Sequence, residues 1–311
     1  MPSSESLRVW APATVANLNV GFDALGCALC EPGEWMDFRR VSEPGVHLVN
    51  GPGTLLPLEV HQNVAGVAAR SLMKALDVSW GVEITVHKSI KPGSGIGSSA
   101  ASAVAAVVGI DALAESGMRK DELLPFALDG EAVASGARHA DNVAPALMGG
   151  LTLVDPEGRV SALPIPHSWH MVVLHPQVEI KTSASRAVLP VHVTLDEAVK
   201  QASWLGKFVH ELHVGRELEA MYCLEDLWVG PHRSPLLPCW DATRSAAMNA
   251  GARAGGISGS GPSSFWVCLS ASDAQRVAAA LSEVMNVAKL SHNLHVTTLS
   301  TQGAHVVSQS V

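Results

Sequence analysis

The chain has 311 residues, of which 47% are hydrophobic and 16% are charged, and 21 basic against 29 acidic side chains give a net charge of −8. This composition predicts a large folded core of about two domains rather than a disordered chain. No basic run is present, and one tyrosine with five phenylalanines offers little for stacking on bases. Binding to nucleic acid or to an anionic membrane is therefore not expected.

The first residues, Met-Pro-Ser-Ser-Glu-Ser, lack the charged start and apolar stretch of a signal peptide, and the run 103–110 is too short to span a bilayer. Five cysteines, an odd and scattered set, are typical of reduced cytosolic thiols. Cys27 and Cys30 form a C-x-x-C, but on a predicted strand the two side chains face opposite sides. We therefore expect a cytoplasmic protein.

The first half of the chain alternates predicted strands and helices. Strands are predicted from short apolar runs or from alternating apolar and polar residues at 7–11, 24–30, 35–41, 45–50 and 82–87. Residues 12–22 are predicted to form a loop. Helices are predicted at 64–76, with Asn63 as the N-cap, and at 98–115 and 121–135.

The second half repeats this alternation after a break. Strands are predicted at 151–154 and 161–163, where Gly149-Gly150 and the prolines of 156–166 indicate a domain boundary. Beyond it, strands are predicted at 170–175 and 264–269, and helices near 195–211, 216–221 and 241–250. We therefore expect an α+β protein of two domains, residues 1–158 and 159–311.

A glycine-rich run at 91–101 is the most informative segment of the chain. It reads Lys91, Pro92, Gly93, Ser94, Gly95, Ile96, Gly97, Ser98, Ser99, Ala100, Ala101. The alternate glycines let the backbone bend, and the serines stand where the next helix begins. A helix start presents unpaired N–H groups and a positive dipole end, so the run predicts a phosphate site. It matches neither the Walker nor the G-x-G-x-x-G pattern, and a glycine loop before a buried helix is the structural alternative.

Several polar side chains elsewhere are candidates for chemistry. Asn17 and Asp23 lie in a loop of small residues and suit a polar substrate, although Asx turns produce the same pattern. Glu131 lies in a small, apolar helix segment, and with Ser99 it offers the oxygen ligands that magnesium prefers. His139 and Asp141, in the polar run 135–145, suit acid–base work or an amine.

Two arginines and a second glycine run complete the candidates. Arg186 and Arg233 lie in loop-like contexts, where a planar guanidinium suits a carboxylate or a phosphate, unless both are ordinary surface arginines. The run 255–263 holds glycines and serines before a strand. It is either a tight turn or a loop that lies against the first glycine run.

Taken together, these segments resemble the GHMP family of small-molecule kinases, and within it the kinases that act on homoserine. The similarity covers most of the chain, at 11–26, 61–64, 93–100, 141–145, 182–190, 231–233, 256–262 and 301–304. The two glycine motifs are typical of the GHMP family in general. The segment Asp141-Asn142-Val143-Ala144-Pro145 and the two arginines restrict the resemblance to the kinases that act on homoserine. Pro92 stands one position later than is usual and Ile96 replaces a common leucine, so at most an altered nucleotide affinity is expected.

The resemblance implies an N-terminal domain like ribosomal protein S5 domain 2, a ferredoxin-like C-terminal domain, and a homodimer. It implies that ATP binds at residues 91–101 with Asn63 near its adenine and ribose, and that Mg²⁺ binds Ser99 and Glu131. Around the amino acid it implies six side chains: Asn17, Asp23, His139, Asp141, Arg186 and Arg233. The implied reaction is the phosphorylation of the homoserine hydroxyl, in threonine synthesis.

The chemistry of homoserine agrees with those roles. The two arginines would bind its carboxylate, either Asp23 or Asp141 would pair with its ammonium, and Asn17 or the other aspartate would orient its hydroxyl. Positioning and charge neutralisation supply most of the acceleration in phosphoryl transfer, so no strong catalytic base is expected. Two alternatives stay open, namely a GHMP kinase for another alcohol and a catalytically silent nucleotide sensor.

Overall fold

The computed structural model of the protein describes residues 6–136 and 138–307, so Ala137 in the polar run and both ends of the chain lie outside the described residues. The strands are β1 (Ser6–Ala16), β2 (Leu25–Val41), β3 (Gly45–Asn50), β4 (Gly81–His87), β5 (Leu151–Val154), β6 (Val160–Leu163), β7 (His170–Pro176), β8 (Ala254–Ile257), β9 (Ser264–Cys268), β10 (His292–Thr297) and β11 (His305–Val307). The helices are α1 (Val64–Ala75), α2 (Ser98–Ala114), α3 (Lys120–Ser135), α4 (Ala140–Met148), α5 (Thr182–Ala187), α6 (Leu195–His213), α7 (Glu217–Met221), α8 (Gly230–Arg233), α9 (Trp240–Ala250) and α10 (Ala271–Val287).

A seven-stranded sheet supports the first half of the chain. Its order is β11-β1-β2-β4-β3, and β5 pairs with β2 and with β6. The predicted strands 24–30 and 35–41 are one long strand, β2, because residues on both sides of Pro32 pair with β1. The pairing register shifts between Pro12 and Thr14, where the paired residue of β2 changes from Gly33 to Ala28. An irregularity of this kind accommodates prolines within a sheet, and it explains why β1 continues to Ala16 into the predicted loop.

Helices α1, α2 and α3 pack together beside this sheet. Helix α2 is buried over most of its length and carries Ala and Val on all sides, as a helix inside a core does. Asn63 is the N-cap of α1, because its Oδ1 accepts a hydrogen bond from the Gly66 N–H at 3.1 Å. This confirms the predicted cap. In the described part of the chain, no helix has both the length and the apolar character needed to cross a membrane.

A four-stranded sheet, in the order β10-β7-β9-β8, supports the second half. Its pairs are antiparallel, and α9 and α10 pack on it around buried Trp266 and Leu281. The first sheet also takes strands from beyond residue 158, since β6 forms a hairpin with β5 and β11 pairs with β1. Glycine and proline occur in hairpin turns as well as in linkers between domains. The two sheets do not divide at residue 158, because β5 and β6 pair across it. The domain division at 158/159 stays a prediction.

The segment after His139, for which the sequence predicted neither helix nor strand, forms helix α4 with Pro145 inside the helix. A proline there removes the hydrogen bond to the carbonyl four residues earlier, which belongs to Asp141. A Cβ on Gly26 of β2 would lie 1.8 Å from that carbonyl oxygen. Close packing of α4 on β2 therefore depends on a glycine that the local sequence of α4 does not reveal.

Candidate functional site

One cavity of about 600 Å³ collects most of the predicted site residues. It is lined by Asn17, Asp23, Asn63, Pro92, Gly93, Ser94, Gly95, Gly97, Ser98, Ser99, Glu131, His139, Asp141, Arg186 and Arg233, among others. Four residues of the predicted set are not among the described residues that line it. Ile96, Ala100 and Ala101 are buried in the main core, and Lys91 is exposed and donates to Gln177 at 3.2 Å. The side chains of Ile96, Ala100 and Ala101 therefore pack in the core and do not face the cavity.

The first glycine run ends as the N-terminus of α2. Gly97 is the N-cap with φ +70°, and the Ala101 N–H donates to its carbonyl oxygen at 2.9 Å. The N–H groups of the residues between them precede the first bond of the helix, so they remain available to an anion. The Ser98 hydroxyl donates to the Ile90 carbonyl oxygen at 2.8 Å, which anchors the run to the end of the preceding segment.

The second glycine run lies directly against the first. The Ser258 hydroxyl donates to the Gly95 carbonyl oxygen at 2.7 Å, and the Ser263 N–H donates to the Ser94 carbonyl oxygen at 3.1 Å. A Cβ on Gly95 would lie 2.6 Å from the Gly261 carbonyl oxygen, so contact between the two runs requires glycine at that position. Both alternatives left open by the sequence are therefore present, since the second run also makes a tight turn in which the Gly261 N–H donates to the Ser258 carbonyl oxygen at 2.9 Å.

The loop before β2 brings Asn17 and Asp23 to the cavity by a local turn. Both have left-handed backbone, with φ +68° and +56°. The Asn17 Oδ1 accepts from the Asp23 N–H at 3.0 Å, and its Nδ2 donates to the Gly259 carbonyl oxygen at 3.2 Å. The bond between Asp23 and Asn17 spans six residues, so it closes the loop over its whole length and is not an Asx turn, and the Asn17 amide also joins the loop to the second glycine run.

The two arginines lie in short helices rather than loops, Arg186 in α5 and Arg233 in α8. The Arg186 Nη2 forms an ion pair with both Asp23 carboxylate oxygens, at 2.7 and 3.0 Å. It also lies 3.4 Å from the Nδ1 of His139. The positive charge of Arg186 is thus partly neutralised within the protein.

Arg233 differs from Arg186 in its burial, because it is only 2% exposed. Its guanidinium donates to the carbonyl oxygens of Ser185 at 3.1 Å and Gly259 at 2.8 Å. Among the described residues, no carboxylate forms an ion pair with it. Burial, followed by the charge of Arg186, lowers the pKa of Arg233. A buried cation whose hydrogen bonds go only to carbonyl oxygens attracts an anion from the cavity.

Asp141 is the carboxylate that burial affects most clearly. Desolvation, and then repulsion from Asp23, raise the pKa of Asp141 to about 7. The pKa of His139 is lowered by its burial and by the positive charge of Arg186, so its imidazole is neutral at pH 7. A cation that enters beside Asp141 would therefore restore the charge of this carboxylate.

Ser99 and Glu131 line the same cavity, and Glu131 is 7% exposed. A hydroxyl and one carboxylate fit Mg²⁺, which is usually bound by one or two carboxylates together with phosphates. The described residues hold no cluster of three or more acidic, histidine or cysteine side chains placed to bind a metal ion. The donor set therefore fits a metal that arrives with a nucleotide.

Asn63 also lines the cavity, but both ends of its amide are used within the protein. The Oδ1 caps α1, and the Nδ2 donates to the Pro57 carbonyl oxygen at 2.7 Å. Asn63 thus ties the cavity wall at 56–57 to the start of α1.

Sequence reasoning missed a buried ion pair beside the start of α2. The Lys88 ammonium donates to Glu34 at 2.6 Å, to the Ser98 carbonyl oxygen at 2.7 Å and to the Ser102 hydroxyl at 2.7 Å. Glu34 is fully buried, and Lys88 and Ser102 line the cavity. Glu34 lies with Met36 and Phe38 on the buried face of β2, so the rule that a buried carboxylate needs a cation would have predicted a basic partner for it. Asn142, also in the cavity wall, was missed too, and it accepts from the Thr14 hydroxyl at 2.7 Å.

Comparison with known proteins identifies the family. The family model for the GHMP kinases N terminal domain matches residues 63–150, and the model for the GHMP kinases C terminal domain matches residues 195–287. A homoserine kinase of Xylella fastidiosa (strain 9a5c) is 36% identical over 308 residues, which cover 98% of this chain and 95% of that protein. One of Xanthomonas campestris pv. campestris (strain B100) is 40% identical over 270 residues, which cover 85% and 84%.

Solved structures agree with these relatives. The homoserine kinase from Cytophaga hutchinsonii has a TM-score of 0.94 at 37% identity, over 99% of each chain. A mevalonate kinase of L. major in complex with R-mevalonate has a TM-score of 0.70 at 14% identity, over 97% of this chain and 99% of that one, and it shows the fold alone. Since relatives above 30% identity span nearly the full length, the chain has the two-domain GHMP fold and belongs to the GHMP kinase family, within its homoserine kinases.

Proposed function

We propose that the protein transfers the γ-phosphoryl group of ATP to the side-chain hydroxyl of L-homoserine and releases O-phospho-L-homoserine, a step of threonine synthesis. The observation that carries the proposal is the presence, in one cavity, of an open helix N-terminus and a buried arginine without an ion pair among the described residues. The α2 start suits phosphates. Arg233 suits the carboxylate of an amino acid.

The polar groups around Arg233 match the rest of the substrate. Asp141, or Asp23 after release from Arg186, would receive the ammonium, and Asn17 or the other aspartate would orient the hydroxyl. Arg186 would join Arg233 at the carboxylate, while neutral His139 would accept a hydrogen bond. The Asp23–Arg186 ion pair must then open or be shared, because the substrate carries the same two charges as this pair.

The reaction does not require a strong catalytic base. The homoserine oxygen bonds to the γ-phosphorus while the bond between that phosphorus and the ADP oxygen breaks, and the hydroxyl proton passes to an oxygen of the transferred phosphoryl group or to water. A loose transition state makes positioning and charge neutralisation the main contributions. Full loss of turnover in Asp23→Asn or Asp141→Asn, with both substrate affinities unchanged, would instead identify that carboxylate as an essential base.

Ser99 and Glu131 would hold the Mg²⁺ that accompanies ATP, and the metal would neutralise charge that develops on the phosphates. We expect Glu131→Gln to lower kcat/KM about 10- to 100-fold, with only partial recovery at high Mg²⁺. Steady-state kinetics across a Mg²⁺ series would measure this. Glu83→Gln, a change in β4 on the exposed Arg39–Glu83 ion pair, is the control. Equal kinetics of Glu131→Gln and the parent protein would exclude the metal role.

The test of the function is an ADP-release assay with a panel of alcohols. Homoserine should turn over well, whereas serine, mevalonate and a homoserine analogue without its carboxylate should not. Efficient turnover of another alcohol would make the protein a GHMP kinase of different specificity. ATP binding without turnover of any alcohol would make it a nucleotide sensor.

The proposal also includes a homodimer that acts in the cytoplasm. Light scattering on a size-exclusion column would measure the mass of the assembly, and a mass equal to one chain would contradict the dimer. Detection of the tagged protein in fractionated cells would test its location.

A further inference from the structure

The ring of Phe22 lies beside both arginines of the cavity. The Cζ of Arg186 is 5.6 Å from the ring centroid, and the Cζ of Arg233 is 5.4 Å from it. Both distances are within the range of a cation–π interaction. Phe22 is half-buried and is not among the described residues that line the cavity, so its contact with the site passes through these two side chains.

An aromatic ring beside both guanidinium groups offsets part of their mutual repulsion. The charge of Arg186 is one of the causes that lower the pKa of Arg233. Asp23 pairs with Arg186, whereas Arg233 has carbonyl partners. The negative face of an aromatic ring attracts both cations, yet it brings no carboxylate that would compete with an anionic substrate.

Ordinary core packing does not account for Phe22. It belongs to none of the hydrophobic clusters formed by the described residues. Phe126 of α3, which is also half-buried, packs against the main core. The ring contacts found for Phe22 among the described residues are those with the two guanidinium groups.

The backbone that carries the ring is held at several points. The Gly21 N–H donates to the Asn17 carbonyl oxygen at 2.9 Å. The Gln201 amide donates to the Val20 carbonyl oxygen at 3.0 Å, and the Asp23 N–H is bound by the Asn17 side chain. A ring on a loop fixed on both sides can define the positions of longer, flexible arginine side chains.

We propose that Phe22 is a positioning residue that holds Arg186 and Arg233 together for the substrate carboxylate. The inference depends on the proposed amino-acid substrate and adds a residue to its recognition. Phe22 would contribute to the KM of the amino acid, with little effect on ATP or on the transfer step.

Phe22→Leu removes the ring and keeps an apolar side chain of similar reach. The KM for homoserine should rise about tenfold, as expected for the loss of cation–π contacts, while kcat and the KM for ATP change less than twofold. Phe22→Tyr, which keeps a ring, should restore the parent KM. Phe126→Leu is the matched control, and it should lower thermal stability without changing the KM for homoserine.

An analogue separates positioning of the arginines from a general defect. In 3-aminopropan-1-ol, the homoserine carboxylate is replaced by hydrogen, so the arginines have no anion to bind. Its kcat/KM should be low in the parent protein and equally low in Phe22→Leu. An equal rise in the KM for homoserine and for ATP, an equal fractional loss with the analogue, or a failure of Phe22→Tyr to restore the KM would overturn the inference. Absence of homoserine turnover in the parent protein would overturn the proposed function itself.

Discussion

Among single residues, Arg233 should govern affinity for the amino acid. Its guanidinium is 2% exposed and bonds to two backbone carbonyl oxygens. We expect Arg233→Ala to weaken homoserine binding by ~2–5 kcal/mol, with a much smaller effect on ATP. Isothermal titration with each ligand would measure the two affinities.

Arg244→Ala, on the exposed surface of α9, is the control for this measurement, and it should leave both affinities unchanged. An equal loss of ATP and homoserine affinity in Arg233→Ala would contradict the assignment of this arginine to the substrate carboxylate.

The protonation state of Asp141 should set the pH dependence of kcat/KM for homoserine. Its pKa is raised to about 7, so the carboxylate is protonated below that pH and has no charge to offer an ammonium. Above pH 7 the charge is present. We therefore expect kcat/KM for homoserine to fall up to about tenfold per pH unit as the pH decreases below 7. A pH profile from 5.5 to 8.5 would measure it.

In Asp141→Asn this acidic decrease should disappear, at a lower overall kcat/KM, because the amide carries no titrating proton. The pH profile of kcat at saturating homoserine should show the decrease at a lower pH, since a bound ammonium lowers the pKa of the carboxyl. A decrease near pH 7 that persists in Asp141→Asn would assign the titration to another group.

At the scale of elements, the start of α2 depends on Gly97. A Cβ at this position would lie 2.0 Å from the Thr14 hydroxyl oxygen, and the backbone has φ +70°. We expect Gly97→Ala to cost ~1–2 kcal/mol of unfolding free energy through left-handed strain, with a further loss from the clash, and to raise the KM for ATP. Urea denaturation and steady-state kinetics would measure both effects.

Gly117→Ala provides the matched control. Gly117 also has a left-handed backbone, with φ +63°, but no heavy atom lies within 4 Å of a Cβ added there. Gly117→Ala should therefore lose stability through left-handed backbone strain alone. Equal losses of stability and equal KM values for ATP in the two variants would show that the contact with Thr14 has no role in shaping the nucleotide loop.

Most elements could be predicted because their signals are local. The predicted helix at 64–76 and strand at 82–87 correspond to α1 and β4, since an N-cap, helical periodicity and strict alternation each lie within the segment itself. Helix α4 was missed because Pro145 argues locally against a helix, whereas the opposing packing on Gly26 comes from a strand far away in the chain.

In the whole molecule, Asn19 joins the two halves of the chain. Its Nδ2 donates to the carbonyl oxygens of Leu224 and Gly255, each at 2.9 Å, and the residue is buried. We expect Asn19→Ala to lower the unfolding free energy by ~1–3 kcal/mol, because buried carbonyl groups lose their donor. Urea denaturation would measure this loss.

Asn293→Ala, on the exposed surface of β10, is the control for Asn19→Ala and should change stability by less than ~0.5 kcal/mol. Equal stability of the two variants would show that the contact between the halves does not depend on these hydrogen bonds.

The sequence alone determined the α+β class, the two glycine runs, the family resemblance and part of the cavity lining, because glycine patterns, caps and apolar periodicity are local properties of the chain. Only the tertiary structure decided which charges neutralise one another. The pairing of Asp23 with Arg186, the burial of Arg233 and the Lys88–Glu34 ion pair depend on distances between residues far apart in the sequence. Electrostatic energy depends on those distances and on burial, and neither can be obtained from the order of residues.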